Sequence, residues 1–313
     1  MKTKKKRKRV QNRINNKISK LKLFGINSAG LKSKLDSFNA ILKQINPQIW
    51  TVQETKLKEK ENLKGEIGQK YQIFYLSRKE IQGGGLAIGV DKEIESTLVR
   101  EGDDHIEALV VQIVIDELPI RVVVAYGPQE SDLKEKKDKF WRFLEEEATK
   151  AELLDQGLII QMDANVHGGP DLIKNDPNVQ NTNGKLFEQF LARNQYLTVA
   201  NNMNICEGVI TRIRKLRNDK TEKAVLDFLI INGKLEPFLE KMLIDEERKF
   251  CLSNYAQLKK NKKLIETDHN SIIADFNIAV QKRKLERLEL FNLRNKNCQT
   301  LFTEETHTRT QLG

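Results

Sequence analysis

The stretch GLIIQMDAN, residues 157–165, is an apolar run that ends in a carboxylate and an amide. A short apolar run bounded by polar residues reads as a strand buried in a sheet. Polar groups at the end of such a strand reach its rim, where loops begin. Working outward, the arrangement recurs along the chain. Asn27 closes LKLFGIN, Glu54 follows IWTVQ, and Tyr126 follows RVVVA. Asp163 and Asn165 follow GLIIQM, Asp227 lies inside AVLDFLII, and Asp268-His269 precede SIIADF. Such residues can converge on one rim and build a site from distant sequence. Four of them are carboxylates, and like charges in one pocket push pKa values up unless a positive charge compensates. A divalent cation is the expected compensation, and it points to metal-assisted phosphate chemistry.

The intervening segments supply the layers around that rim. In LKSKLDSFNAILKQINP the residues Leu31, Leu35, Phe38, Ile41, Leu42 and Ile45 recur at helical spacing, and Pro47 ends the pattern. Further helices are expected in SDLKEKKDKFWRFLEEEATKAELLDQ and NGKLFEQFLARNQ. YQIFYLS, GLAIGV, ALVVQIVI and PIRVVVAYGP follow one another closely, with turn residues between, which suggests antiparallel pairing. YLTVANN adds a strand, GVITRIRKLRNDKTEKAVLDFLIING reads as two strands joined by a basic loop, and KMLIDEERKFCLSNY and KKLIETDHNSIIADFNI complete the body. Strand runs interleaved with a few helices imply an α+β sandwich, two packed sheets with helices outside them. After about residue 279 the sequence becomes charged and helix-like, with Leu285, Leu288 and Leu293 as a thin apolar stripe, and reads as a connector.

At 313 residues, with no Pro/Gly/Ser-rich linker in the middle, one large domain is expected. The net charge of +10 is local. Residues 1–22 hold eleven Lys and Arg and no acid, leaving 43 basic against 44 acidic residues elsewhere. That tail has no apolar stretch and so is not a secretory signal. Its KKKRKRV reads as a nuclear address or an electrostatic handle for nucleic acid, with a solvated, partnerless terminus as the alternative. Cys206, Cys251 and Cys298 form neither a zinc spacing nor a disulfide framework, which suits a reducing, intracellular location, nuclear or cytoplasmic. No apolar run approaches the roughly 20 residues that cross a bilayer, so no membrane partner is expected.

Each local signal has a competing reading. Asp163 and Asn165 lie two apart, so on an extended chain they would face one small target such as a water. An Asx turn closing the strand is the alternative. His269 in a cleft could donate to a phosphate, with Asp227 to orient it. His105 and His307 read as structural, and His167, four residues past Asp163, resembles a metal ligand but is set aside because a hard-cation site prefers oxygens. The glycines of GGGLAIGV read as a hairpin turn or close sheet packing, because the Lys-Ser/Thr of a phosphate loop is missing. Thr211, Arg212, Arg214, Lys215 and Arg217 sit in one basic segment that could clamp phosphates or enter a groove, or be a solvated hairpin tip.

In order, Asn27, QET (53–55), YGP (126–128), MDAN (162–165), LDF (226–228) and TDH (267–269) resemble the motif series of the endonuclease/exonuclease/phosphatase superfamily. The resemblance covers residues 21–278. It is most similar to the endonuclease domain of non-LTR (LINE-type) retrotransposons, through QETKL, an ITR sixteen residues before Asp227, and FNLRNKNCQTLFTEET after the domain. Met162, Ala164 and Thr267 depart from the usual residues of that pattern.

The resemblance implies a DNase I-like, four-layer αββα sandwich over residues 21–278, between a basic disordered tail (1–20) and a helical connector (279–313). It implies a Mg2+ ion, with Mn2+ as substitute, held by Glu54, Asn27 and Asp268. Asp163 and Asn165 would handle the attacking water, while His269, held by Asp227, and Tyr126 would donate to the phosphate. The implied substrate is duplex DNA, nicked to a 3′-hydroxyl that primes reverse transcription. Element RNA is a candidate partner of the tail. A reverse transcriptase is expected in the full polyprotein, of which this chain reads as a domain-length piece. An abasic-site repair endonuclease, an inositol or lipid phosphatase, and an inactive nucleic-acid-binding remnant are the other classes the same fold would host.

Overall fold

A computed structural model of the protein describes residues 19–58, 63, 65–77, 84–103, 105–216, 220–254 and 264–280. The basic tail through residue 18, Arg217, Cys298, His307 and nearly all of the expected connector lie outside these. The first sheet contains β1 (Ser19–Asn27), β2 (Ile49–Gln53), β3 (Tyr71–Leu76), β4 (Leu86–Asp91), β10 (Cys206–Glu207), β14 (Leu239–Ile244) and β15 (Ile272–Val280). Its spatial order is β10-β14-β15-β1-β2-β4-β3. The second contains β5 (Glu95–Glu101), β6 (Glu107–Ile115), β7 (Leu118–Tyr126), β8 (Gly157–Asp163), β9 (Leu197–Val199) and β13 (Asp227–Asn232), in the order β5-β6-β7-β8-β13-β9.

The central strands are apolar on both faces because both faces are covered. On β8, Ile159 packs between the sheets, while Leu158, Ile160 and Met162 face the outer helices. On β1, Leu21 and Leu23 face inward, and Phe24 and Ile26 outward. Three cores result. The middle one joins Leu23, Ile88 and Val90 to Leu109, Val122, Ile159 and Leu229. Outside the first sheet, helix α1 (Leu35–Ile45) buries Phe38, Ile41 and Leu42, with Phe38 edge-on to Trp50 at 5.2 Å. It stops at Asn46, whose left-handed φ of 52° lets its N–H reach Leu42 O at 2.9 Å. Helix α2 (Glu66–Lys70) is a single short turn.

Outside the second sheet, α3 (Lys134–Leu153) and α4 (Thr182–Arg193) bury Phe140, Trp141, Phe187 and Phe190. The buried Glu147 of α3 pairs with Arg100 at 2.7 Å, with Lys150 at 2.9 Å and with Arg121. The result is the expected α+β, four-layer αββα sandwich.

Two local readings change and one holds. ESTLVRE forms β5, an exposed edge strand with no apolar alternation to announce it. The basic loop is itself a hairpin, β11 (Arg212–Lys215) paired with β12 (Thr221–Ala224), and it is set off from β13 by Val225 and Leu226. The glycine run makes sheet packing, as expected. Gly84 and Gly85 have positive φ and accept from Lys56 N and Thr55 N, and a Cβ on Gly89 would fall 2.0 Å from the Trp50 ring.

Candidate active site

Strand direction brings the polar residues to one rim. β7 and β8 run parallel with Tyr126 level with Asp163. β13 is antiparallel to β8 and starts with Asp227 beside Asp163. In the first sheet β1 and β2 run parallel, Asn27 level with Gln53, and Glu54 follows. β15 is antiparallel to β1, so the segment leading into it, Asp268-His269, returns to the same end.

Hydrogen bonds join the two sheets across that rim. Asn27 Nδ2 donates to Glu54 Oε1 at 3.1 Å and to Asp163 Oδ2 at 2.8 Å. Its amide cannot flip without loss, because Ala29 N–H donates to Asn27 Oδ1 at 2.9 Å. His269 Nδ1 lies 2.8 Å from Asp227 Oδ2. Its Nε2 is 3.8 Å from Asp163 Oδ2 and 3.9 Å from Asp268 Oδ1. Thr267 Oγ1 donates to Asn27 O at 2.7 Å, tying the His269 segment back to β1. The Asp227 backbone is gripped from both sides. Leu226 and Asp227 N–H donate to Thr211 Oγ1, and Asn201 Nδ2 donates to Asp227 O at 3.1 Å.

Asn165 is placed differently from the alternation expected on an extended chain. Its φ is +50°, and its backbone N–H donates to Asp163 Oδ1 at 3.1 Å, which is the Asx turn. The turn still brings its side chain to the site, where it bonds Gly127 O at 2.8 Å and reaches the Tyr126 phenol. Asn183 of α4 holds Asn165 O at 3.1 Å and Pro128 O at 2.9 Å. Gly127 is required here, since a Cβ would stand 2.3 Å from Ala164 O. Met162 and Ala164, the departures from the motif, are both fully buried in the outer core.

The hairpin also needs correcting. Thr211 is fully buried and spends its oxygen on the two backbone N–H groups, so it cannot touch nucleic acid. Arg212 donates from Nε to Asp268 Oδ2 at 2.8 Å. Arg214 and Lys215 are exposed. His105 is exposed and His167 stands apart from the Asp163–Asp227–His269 cluster.

Burial sets the electrostatics. It pushes Asp163 up to about 7, with the Asp227 charge adding to the effect and His269 and Asn27 opposing it. Burial alone would lower His269, but Asp227, then Asp163 and Asp268, raise it to about 9. Burial would raise Glu54 and Asp268, yet both are held below their ordinary values. Asn27 and Lys56 hold Glu54 down, and His269 and Arg212 hold Asp268 down. Burial also pushes Tyr126 up to about 12, so it stays a donor.

Two donor sets fit a divalent cation. Asp163, Asp227 and His269 place ligand atoms within 4.8 Å of one another, and Asp227 Oδ1 is buried without a partner. That set is nearly closed to water, however, and its imidazole Nδ1 is already committed to Asp227. Glu54 and Asp268, with side chains 21% and 32% exposed, offer oxygen ligands where a hydrated hard cation can reach them. Asn27 turns its Nδ2 to Glu54, and its Oδ1, which accepts from Ala29 N–H, keeps a second lone pair.

Several supporting residues carry no signal in the sequence. Lys34, Lys56, Asn183, Asn201 and Arg248 are spread over a helix start, loops and a 3-10 turn. Arg248 donates to Asn270 Oδ1 at 3.1 Å and to Thr267 O, bracketing Asp268-His269. Charged side chains in such positions read as solvated, and only Asn201, after the strand in YLTVANN, shared the strand-end placement of the others.

The fold has known counterparts. The endonuclease domain of TRAS1, a telomere-specific non-LTR retrotransposon, superposes with a TM-score of 0.57 at 15% identity, covering 82% of this chain and 99% of that one. A 3′-5′ exonuclease from Neisseria meningitidis (TM-score 0.60, 16%) and an AP endonuclease from Archaeoglobus fulgidus (0.56, 17%) each match over 82% of this chain and their own full length. This chain has the endonuclease/exonuclease/phosphatase fold. No protein-family model and no curated protein sequence matches it. The fold thus stands on three-dimensional likeness.

Proposed function

We propose that the chain is a divalent-metal-dependent endonuclease that nicks duplex DNA, leaving a 3′-hydroxyl and a 5′-phosphate, as a retrotransposon endonuclease would to prime reverse transcription. The observation that carries this reading is the convergence of the His269–Asp227 pair, Asp163, and the Glu54–Asn27 pair on one rim. No single strand supplies more than a fragment of it.

Mg2+ held by Glu54, Asn27 and Asp268 would supply Lewis-acid stabilisation of charge on the phosphate and the leaving oxygen. The chain's own groups do the rest. Asp163, raised toward neutrality, is matched to accept a proton from the attacking water near the working pH. The water oxygen bonds phosphorus, the P–O3′ bond breaks with its electron pair on O3′, and the leaving 3′ oxygen takes a proton from solvent water to become the hydroxyl. His269, raised to about 9, is charged at neutral pH and donates from Nε2 to the phosphate while Asp227 fixes its other nitrogen. Tyr126 donates a further hydrogen bond, and Asn165, turned beside it, orients the water. Arg214 and Lys215 on the exposed hairpin would meet the DNA backbone.

The abasic-site reading ranks second. It needs apolar or aromatic walls for a flipped-out sugar. Around Asp227 the available residues face away, since Phe228 packs on Phe187 at 5.0 Å in the outer core and Val225 is fully buried. A preference of several orders of magnitude for abasic over intact duplex would reverse this ranking.

The decisive assay is conversion of supercoiled plasmid to the open circle with Mg2+ or with EDTA, for the wild type and His269→Ala. Nicking is expected only with metal and His269 together, the variant losing about 10³-fold or more. A folded, DNA-binding wild type that leaves plasmid intact would refute the proposal.

A further inference from the structure

Lys34 is only 3% exposed, beside the rim but not part of it. A lysine is almost never this buried unless its charge is paired. Here the ammonium has no carboxylate partner among its hydrogen bonds. It donates instead to three successive backbone carbonyls, Ser28 O at 2.7 Å, Ala29 O at 3.3 Å and Gly30 O at 3.2 Å. Three N–H donors meet three acceptors, so the group is satisfied by the loop alone.

That loop is not a relaxed one. Ala29 has φ +46° and Gly30 φ +107°, and a non-glycine residue in the left-handed region persists only where its surroundings enforce it. Converging carbonyls on one ammonium are such an enforcement. The loop in turn holds two site residues. Ala29 N–H fixes the Asn27 amide, which is what aims Asn27 Nδ2 at Glu54 and Asp163. Gly30 N–H donates to Glu54 O at 2.8 Å, and Glu54 itself sits at φ +47°.

We propose that Lys34 is a positioning residue of the site: by gathering the carbonyls of residues 28–30 it holds the strained turn that aims Asn27 and seats Glu54. It touches neither substrate nor reacting atoms. The catalytic part of its role rests on the nuclease reading, whereas the positional part does not.

The test uses the full chain and two readouts. In 15N–1H spectra without metal, the Asn27 side-chain amide is identified by its loss in Asn27→Ala. Lys34→Met is expected to shift or broaden that amide, while Leu144→Ala, a destabilising change in the outer core, leaves it in place. In plasmid nicking, Lys34→Met is expected to lower kcat about tenfold with KM for DNA unchanged, as slight misplacement of a catalytic group does. Added to Asn27→Ala it should cost little more, since residues acting through one another are not additive. Should Lys34→Met fail to fold, Lys34→Arg keeps the charge but not the three separately aimed donors, and is read the same way. An unmoved Asn27 amide, or losses that multiply in the double variant, would overturn the proposal. A displaced amide in a chain whose wild type never nicks would refute the nuclease reading and leave the positioning role standing.

Discussion

Asp163 is 1% exposed, beside Asp227, and its rise to about 7 means the folded chain holds that proton more tightly than the unfolded chain does. Between about pH 4 and 7 the native state therefore binds more protons, and stability falls as pH rises through that window. His269 acts in the same sense at higher pH. Raised to about 9, it contributes stability that is full below its ordinary 6.5 and lost as pH climbs through about 9. In EDTA, the thermal midpoint should decline from pH 5 to pH 9. Asp163→Asn removes the buried charge, so it should flatten the first part of that decline and raise the midpoint at pH 7.5 by about 2–4 °C while abolishing nicking. A lowered midpoint would show that the hydrogen bonds from Asn27 and Asn165 outweigh the repulsion. The residues that carry this chemistry are legible in the sequence because each lies in or at the edge of an apolar run. Those that hold them are not. Lys34 and Arg248 act on backbone carbonyls, a role that leaves no pattern in a charged segment.

At the scale of elements, the β11–β12 hairpin divides its residues between two tasks. Its base serves the site, through Thr211 on the Asp227 backbone and Arg212 on Asp268. Its exposed part, with Arg214 and Lys215, is free to meet phosphates. Arg214→Ala and Lys215→Ala should each weaken DNA binding and reduce the slope of log K against log salt by about 0.9, with kcat at saturating DNA unchanged. Thr211→Val should behave oppositely. It strips the acceptor from two buried N–H groups, so stability should fall by about 1–3 kcal/mol and kcat with it, at an unaltered salt slope. Melting curves and a salt titration of binding separate the two outcomes. The hairpin reads as a loop because RIRK and TEKA lack apolar alternation, and β5 goes unannounced in the sequence for the same reason. A strand that buries neither face is defined by its partner's register, which the linear sequence does not display. The central strands, apolar on both faces, were readable because their composition alone excludes solvent.

The whole molecule matters because two central bonds of the site cross from one sheet to the other. Asn27 reaches from β1 to Asp163 on β8, and His269, leading into β15, reaches Asp227 on β13. Beneath the rim a buried polar contact does the same, with Thr51 Oγ1 of β2 donating to Gln161 Oε1 of β8 at 2.8 Å and Gln53 joining it. The separation of the sheets is set by the middle core, and interiors at close-packed density pass small displacements on to their neighbours. The outer cores fix the helices against one sheet at a time and leave that separation alone. Two truncations of similar cost should therefore differ in function. Ile88→Ala empties a site in the middle core, and Leu144→Ala one under α3. Each should cost about 2–5 kcal/mol in denaturant unfolding. Assayed well below both melting points, Ile88→Ala should lower kcat several-fold, because the two halves of the site move relative to each other. Leu144→Ala should leave kcat near the wild-type value. Equal losses in both variants would mean that the rim responds to global stability, and that the spacing of the sheets does not govern the geometry of the site.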